Sequence, residues 1–180
     1  MKKLTAIILF LTLLLSVVSC GGEDFGFSID EDTENGYHEL GLYFKLPKEF
    51  TKKNVPYAEV YYSNSDGASF MFNVYNGAAI EELGYDGDIS VEDYTKKFII
   101  LNGLDMIYDY SEETGKSVIE YNYSYPDYGD GTALPDEYTV HLIMRGTSHL
   151  YVITMVSETA KYESDYKAIF EELVSIIYAE

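Results

Sequence analysis

Residues 137–145 read EYTVHLIMR and residues 149–156 read HLYVITMV, with a short link, Gly146–Ser148, between them. Both runs are rich in β-branched and aromatic residues and the link contains glycine, so the pair predicts a β-hairpin. In each run apolar side chains occupy both sets of alternating positions, and alternate positions point to opposite faces of a sheet. We therefore expect this hairpin to lie inside a sheet that other elements cover on both sides.

The final helix, Ala160 to Tyr178, is the element predicted to cover one of these sides. Its apolar residues recur at helical spacing, and its charged residues lie on the opposite face. The apolar stripe consists of Tyr162, Tyr166, Ile169, Phe170, Leu173, Ile176 and Ile177. A stripe of this kind is typical of core packing, so we expect the helix to pack on the sheet.

The preceding part of the chain predicts five more strands and one more helix. The strands, indicated by alternation and by turn residues, are 41–46, 57–63, 70–75, 104–110 and 117–125. Ser90 begins the helix with Asp93 placed to complete a capping box, and Asn102-Gly103 ends it. Residues 76–89 are predicted to be a glycine-rich loop. Three strands, a helix, four strands and a terminal helix indicate a single antiparallel α+β domain.

Three segments of this pattern resemble the PsbP-like fold. They are the opening strand GLYFKLP at 41–47, the apolar hairpin from Val140 to Val156, and the stripe from Tyr162 to Ile177. Members of that family include extrinsic subunits of photosystem II, a nuclear factor that acts on the GTPase Ran, and many bacterial lipoproteins. The resemblance spans residues 38–180 and implies binding or assembly rather than catalysis. It assigns no binding residue, because no binding motif of the family is matched.

The first 19 residues are predicted to be a signal peptide that is removed. Lys2 and Lys3 precede an apolar run, Leu4 to Val18, of 15 residues, which is shorter than the about 20 that a membrane-spanning helix needs. Residues 17–20 read VVSC and resemble the lipobox of bacterial lipoproteins, in which the thiol takes a diacylglycerol. We therefore expect Cys20 to be lipidated and to anchor the protein on the outer, extracytoplasmic face of a cell membrane.

Residues 20–37 are predicted to form a flexible tether between the lipid and the domain. Between Gly21 and Gly36 the chain has six acidic residues, no basic residue and little apolar content, a composition that does not support a packed core. The predicted organisation is therefore a signal at 1–19, an acidic tether at 20–37 and a PsbP-like domain at 38–180.

The charge and the cysteine content exclude several classes of function. The chain has 31 acidic and 12 basic residues, a formal charge of −19; loss of residues 1–19 removes two lysines and no acid, leaving 10 against 31, or −21. Such a surface does not suit nucleic acid. It favours cationic partners or partners bound through metal ions, or it serves solubility alone. Cys20 is the only cysteine, which excludes a disulfide within the chain, a thiolate metal site and cysteine catalysis.

No catalytic motif is visible in the sequence. There is no G-x-S-x-G, and His38, His141 and His149 do not form an H-E-x-x-H pattern, so each histidine is interpreted as structural or solvated. We expect a non-enzymatic module without a cofactor, a monomeric domain that binds a protein partner in a cell-envelope complex. The alternative is a surface hydrolase with paired carboxylates, which the abundance of acidic residues leaves open.

The strand 117–125 and the loop 126–135 are the predicted recognition surface. Tyrosine gives contact area at low entropic cost, and long irregular loops are often functional. The predicted partner-binding residues are Tyr121, Tyr123, Tyr125 and Tyr128. The alternative is that the tyrosines of the strand lie under a helix and that the loop is only solvated.

The acidic residues of the same loop are a candidate calcium site. Asp127, Asp130 and Asp136 are close in sequence, and carboxylate oxygens are the ligands that calcium prefers. The same residues also suit direct contact with a basic partner.

Mass spectrometry of the mature amino-terminal peptide tests the predicted anchor. We expect Cys20 as its first residue, carrying the diacylglycerol on its thiol and an acyl chain on its amino group, as the resemblance to bacterial lipoproteins implies; several acyl chains give stable membrane anchoring. Cys20→Ser should abolish the modification. An unmodified thiol in the wild-type protein, or its release into the medium, would contradict the prediction.

Overall fold

The computed structural model describes residues 36–102, 108–125 and 134–179. Within these residues the strands are β1 (Gly36–Glu39), β2 (Leu42–Lys45), β3 (Thr51–Lys53), β4 (Val60–Ser63), β5 (Ser69–Asn76), β6 (Tyr108–Ser111), β7 (Lys116–Tyr123), β8 (Glu137–Arg145), β9 (His149–Glu158) and β10 (Tyr178–Ala179). The helices are α1 (Gly77–Glu82), α2 (Val91–Leu101), α3 (Thr159–Lys161) and α4 (Lys167–Ile176), with a π-helical turn at Tyr162–Tyr166. We call α3, the π-helical turn and α4 together the C-terminal helix.

The strands form two antiparallel sheets. The large sheet has the order β3-β4-β5-β9-β8-β7-β6, and the small sheet has the order β1-β2-β10. The predicted hairpin is confirmed as β8 and β9, which pair with Arg145 opposite Leu150 and Glu137 opposite Glu158. Because β7 and β5 flank this hairpin, it lies in the interior of the sheet, and both of its strands are paired on both sides over most of their length.

Each face of the hairpin belongs to a different hydrophobic core. The main core lies between the large sheet, the small sheet and the C-terminal helix; its largest buried members include Phe44, Tyr62, Phe72, Leu142, Tyr162 and Phe170. The second core lies under α1 and α2; its buried members include Ile80, Val91, Tyr94, Ile99, Ile143 and Val152. The predicted class, an antiparallel α+β domain with helices on both sides of the sheet and the C-terminal helix packed on it, is confirmed.

The C-terminal helix ends earlier than predicted. It stops at Ile176, and Ile177 adopts an extended conformation with φ −65° and ψ 134°. The Lys116 ammonium donates hydrogen bonds to the carbonyl oxygens of Val174 (2.6 Å) and Ile177 (2.9 Å), so it satisfies groups that a helix end leaves unpaired. Tyr178 then joins β10 and stacks on Tyr43 of β2, with ring centroids 4.7 Å apart.

The predicted loop 76–89 contains a helix. Asn76 caps α1, because its side-chain oxygen accepts a hydrogen bond from the Ala79 amide at 2.8 Å. The following turn brings two glycines together: a Cβ on Gly87 would lie 3.1 Å from the carbonyl oxygen of Gly77. The short helix was missed because its glycine start has low helix propensity. The predicted Ser90 cap of α2 is present, since the Ser90 hydroxyl oxygen accepts a hydrogen bond from the Asp93 amide at 3.1 Å; the Asp93 carboxylate accepts from the Ser90 hydroxyl at 3.0 Å.

The first strand overlaps the predicted tether. β1 includes Gly36 and Tyr37 and pairs antiparallel with β2. The two strands are joined by Leu40 and Gly41, both at positive φ (57° and 73°), as a tight hairpin turn of the I′ type requires. Leucine is uncommon at positive φ, which hid the turn in the sequence. The Tyr151 hydroxyl donates to the Leu40 carbonyl oxygen at 3.0 Å and holds the turn on the large sheet.

The predicted signal at 1–19, the lipidation site Cys20 and the tether up to residue 35 lie outside the described residues. Among the helices that the structure describes, none combines the length and the apolar content needed to cross a membrane.

Candidate functional site

The tyrosines of β7 differ in how far they are buried. Tyr121 packs against the second core, the one that α2 covers, and its hydroxyl lies 3.1 Å from Nε2 of His141. Burial raises the pKa of the Tyr121 hydroxyl. Tyr121 is thus half-buried on the side of the sheet that α2 covers, and its part in binding a partner stays a prediction.

His141 connects Tyr121 to the centre of the sheet. Its Nδ1 atom lies 2.8 Å from the Thr154 hydroxyl of β9, and Phe98 of α2 meets the imidazole edge to face at 5.0 Å. Both ring nitrogens are thus within hydrogen-bonding distance of a hydroxyl group. Burial lowers the pKa of His141 to about 4, so the imidazole is neutral at physiological pH, in agreement with a structural role.

Tyr123 is the last residue of β7, and Tyr125 lies just beyond the strand. Their rings meet edge to face with centroids 5.0 Å apart, and the Tyr123 side chain is 43% exposed. Partial burial, a hydrogen bond with Glu137 and the Glu137 charge raise the pKa of Tyr125 to about 12. We call Tyr123 and Tyr125 the tyrosine pair. Glu137 was not predicted as a site residue; it lies opposite Tyr123 in the β7–β8 register, so only strand pairing reveals it.

Of the three predicted calcium ligands, the structure describes only Asp136. Asp136 is exposed, and its carbonyl oxygen accepts a hydrogen bond from the Thr159 amide at 2.8 Å. Asp127, Asp130 and Tyr128 lie outside the described residues. Within the described ranges, no group of three or more histidine, cysteine, aspartate or glutamate side chains is arranged to hold a metal ion. Calcium binding by this loop stays a prediction.

The opposite face of β7 borders a groove that the sequence did not predict. The groove has a volume of about 550 Å³ and lies between β6, β7 and α4. Its apolar lining is Val118, Phe170 and Val174, and its acidic lining is Asp109, Glu120 and Glu171. Glu120 accepts a hydrogen bond from the Tyr138 hydroxyl at 2.7 Å, and the Tyr138 ring stacks on Tyr162 of the C-terminal helix at 3.9 Å.

Comparison with known proteins finds similarity in structure only. No protein-family model matches the chain, and no curated protein matches it. The solution structure of the cyanobacterial PsbP protein CyanoP from Synechocystis shares 13% sequence identity with a TM-score of 0.53, over 91% of this chain and 99% of that chain. A crystal structure from Bacteroides thetaiotaomicron shares 9% identity with a TM-score of 0.51, over 78% of this chain and 45% of that chain.

A third similar structure is that of the Ran-binding protein Mog1p from Saccharomyces cerevisiae, with 15% identity and a TM-score of 0.49, over 77% of this chain and 90% of that chain. At these identities the two structures with TM-scores above 0.5 support the fold and nothing finer. The match to CyanoP supports the PsbP-like fold.

The low pKa of His141 makes stability depend on pH. The unfolded chain, with an ordinary histidine pKa of 6.5, binds a proton more readily than the folded protein does. The contribution of the neutral His141 to the free energy of unfolding is complete above pH 6.5. As the pH falls toward 4, it is lost by about 1.4 kcal/mol per pH unit. Urea unfolding of the wild type and of His141→Gln should therefore show the difference between them shrinking by about 2 kcal/mol from pH 7 to pH 5. A difference that does not change with pH would contradict the neutral, buried state of His141.

Proposed function

We propose that this protein is a lipid-anchored, extracytoplasmic binding module that contacts a protein partner of the cell envelope through the tyrosine pair. The observation that carries the proposal is the edge-to-face contact of Tyr123, the exposed last residue of β7, with the half-buried Tyr125 just beyond the strand. Tyrosine is enriched at interfaces because it combines a large apolar ring with a polar tip. Because the two rings pack on each other and Tyr123 is fixed by its pairing with β8, they offer contact area with little loss of side-chain entropy on binding.

The loop that follows the tyrosine pair extends the proposed surface. Residues 126–133 contain Tyr128, Asp127 and Asp130, and they connect the end of β7 to Leu134, whose side chain is 59% exposed. In our proposal these acidic residues, with Asp136, meet a basic partner directly or through calcium. The anchor at Cys20 and the acidic tether would hold the module near the membrane while leaving it free to reach a partner.

The hydrolase alternative depends on a cleft with a proton-donating carboxyl group. The groove beside α4 contains three carboxyl groups, but all three residues are exposed to solvent, and Glu120 already accepts a hydrogen bond from the Tyr138 hydroxyl. Glycoside hydrolysis would instead require one carboxyl group that stays protonated until it donates its proton. A binding role therefore accounts for this arrangement better than catalysis.

Cross-linked pull-down from intact cells tests the proposal. Tyr123→Ser/Tyr125→Ser should lower the recovery of partner proteins about fivefold or more, because aromatic anchors carry most of the energy of an interface. Tyr57→Ser/Tyr61→Ser is the matched control, since these rings form another edge-to-face pair, with centroids 5.7 Å apart, and Tyr57 is 39% exposed.

The control variant should recover the same partners as the wild type. Repeating the capture after calcium is removed with a chelator separates a calcium-bridged contact from a direct one. If the Tyr123/Tyr125 variant is folded and recovers partners at the wild-type level, the tyrosine pair is not the contact surface.

A further inference from the structure

The floor of the groove beside α4 is apolar and fixed. Val118 of β7 and Val174 of α4 are half-buried and pack against the main core, and Phe170 is buried beneath them. The volume of about 550 Å³ falls inside the range of about 300–1,000 Å³ that is usual for ligand sites. A side chain that enters the groove would therefore meet a preformed apolar surface rather than a mobile one.

The rim of the groove is acidic on both sides. Asp109 lies opposite Val118 in the β6–β7 pair, so Asp109 and Glu120 leave the sheet on the same face as Val118. Glu171 stands on the α4 side. Asp109, Glu120 and Glu171 are all exposed, so an arriving cation can reach them without first displacing protein.

The two lysines near the groove are already engaged by the protein. Lys116 donates to the carbonyl oxygens at the end of α4. Lys167 forms an ion pair with Glu163 at 3.1 Å. Neither lysine is a lining residue of the groove. Lys167 lies near enough to Glu171 and Glu120 to offset part of their charge, but three carboxylates against this one ammonium group leave the rim negative.

This combination suits lysine and arginine side chains. Their aliphatic stems cover apolar surface while the charged end stays at the polar edge. A purely apolar ligand would take the carboxylates out of water without a partner, which is costly, and an anionic ligand would be repelled. Within the described residues β6 is the last strand of the large sheet, so an extended peptide can also pair along its outer edge.

We propose that the groove binds an extended basic segment of a partner protein. Lysine or arginine side chains of that segment lie on Val118 and Val174 and pair with Asp109, Glu120 and Glu171. The groove is on the face of the sheet that the C-terminal helix covers, whereas Tyr121 packs on the α2 side. The inference therefore goes beyond the tyrosine pair and holds or fails without it.

Fluorescence anisotropy with a labelled Lys-Val-Lys-Val-Lys peptide tests this site in the full chain that follows the signal. At about 150 mM salt, where long-range attraction is screened, Glu120→Gln/Glu171→Gln should weaken binding about fivefold or more. Glutamine keeps the acceptor for the Tyr138 hydroxyl. A second variant, Val174→Lys, keeps an aliphatic stem on the floor but adds a positive charge, and it should abolish binding.

A charge-matched control separates the groove from general attraction to an acidic protein. Glu81→Gln/Glu82→Gln changes the net charge by the same amount on α1, which covers the second core on the opposite side of the sheet. This control should change the affinity by less than about twofold. An equal loss in the control and in the groove variant, or no binding of the peptide by the wild type at this salt, would overturn the proposal. Circular dichroism shows whether each groove variant is folded. If one of them is not, the peptide affinity of the other variant tests the proposal.

Discussion

The burial of β8 and β9 on both faces governs the arrangement of the other elements. Burying a large apolar side chain contributes about 1.5–3 kcal/mol relative to exposing it, and this hairpin presents such side chains on each face. One helical layer cannot cover both. The C-terminal helix and the small sheet take one face, and α1 and α2 take the other. The two proposed binding surfaces lie at one margin of the sheet, along β6 and at the end of β7.

The elements with strong periodicity were predictable, and those held by long-range contacts were not. The bounds of β8 match the predicted Glu137–Arg145, because alternation and a glycine link encode this strand locally. β3 is three exposed residues paired with β4, so no pattern marks it. The turn at Leu40 accepts a hydrogen bond from Tyr151, which is 111 residues away along the chain. Local sequence preferences contain no information about such a distant partner.

The candidate binding surface also combines features that the local sequence predicts with features that only long-range contacts determine. Alternation placed Tyr121 and Tyr123 on one face of β7, but it does not say that Tyr121 packs on the second core while Tyr123 is exposed. Glu137 became visible only through its register with Tyr123. The groove was missed because Asp109 and Glu120 read as ordinary polar positions, and only the β6–β7 pairing and the packing of α4 bring them to one site.

Urea unfolding of one variant from each core tests most directly whether the hairpin needs both covers. Phe170 in the main core is 2% exposed and Tyr94 in the second core is 5% exposed, while Ile100 is 75% exposed on α2. Phe170→Ala and Tyr94→Ala should each lower the free energy of unfolding by about 3–5 kcal/mol, and Ile100→Ala should change it by about 0.5 kcal/mol or less. A variant of either core with wild-type stability would contradict the requirement for cover on that face.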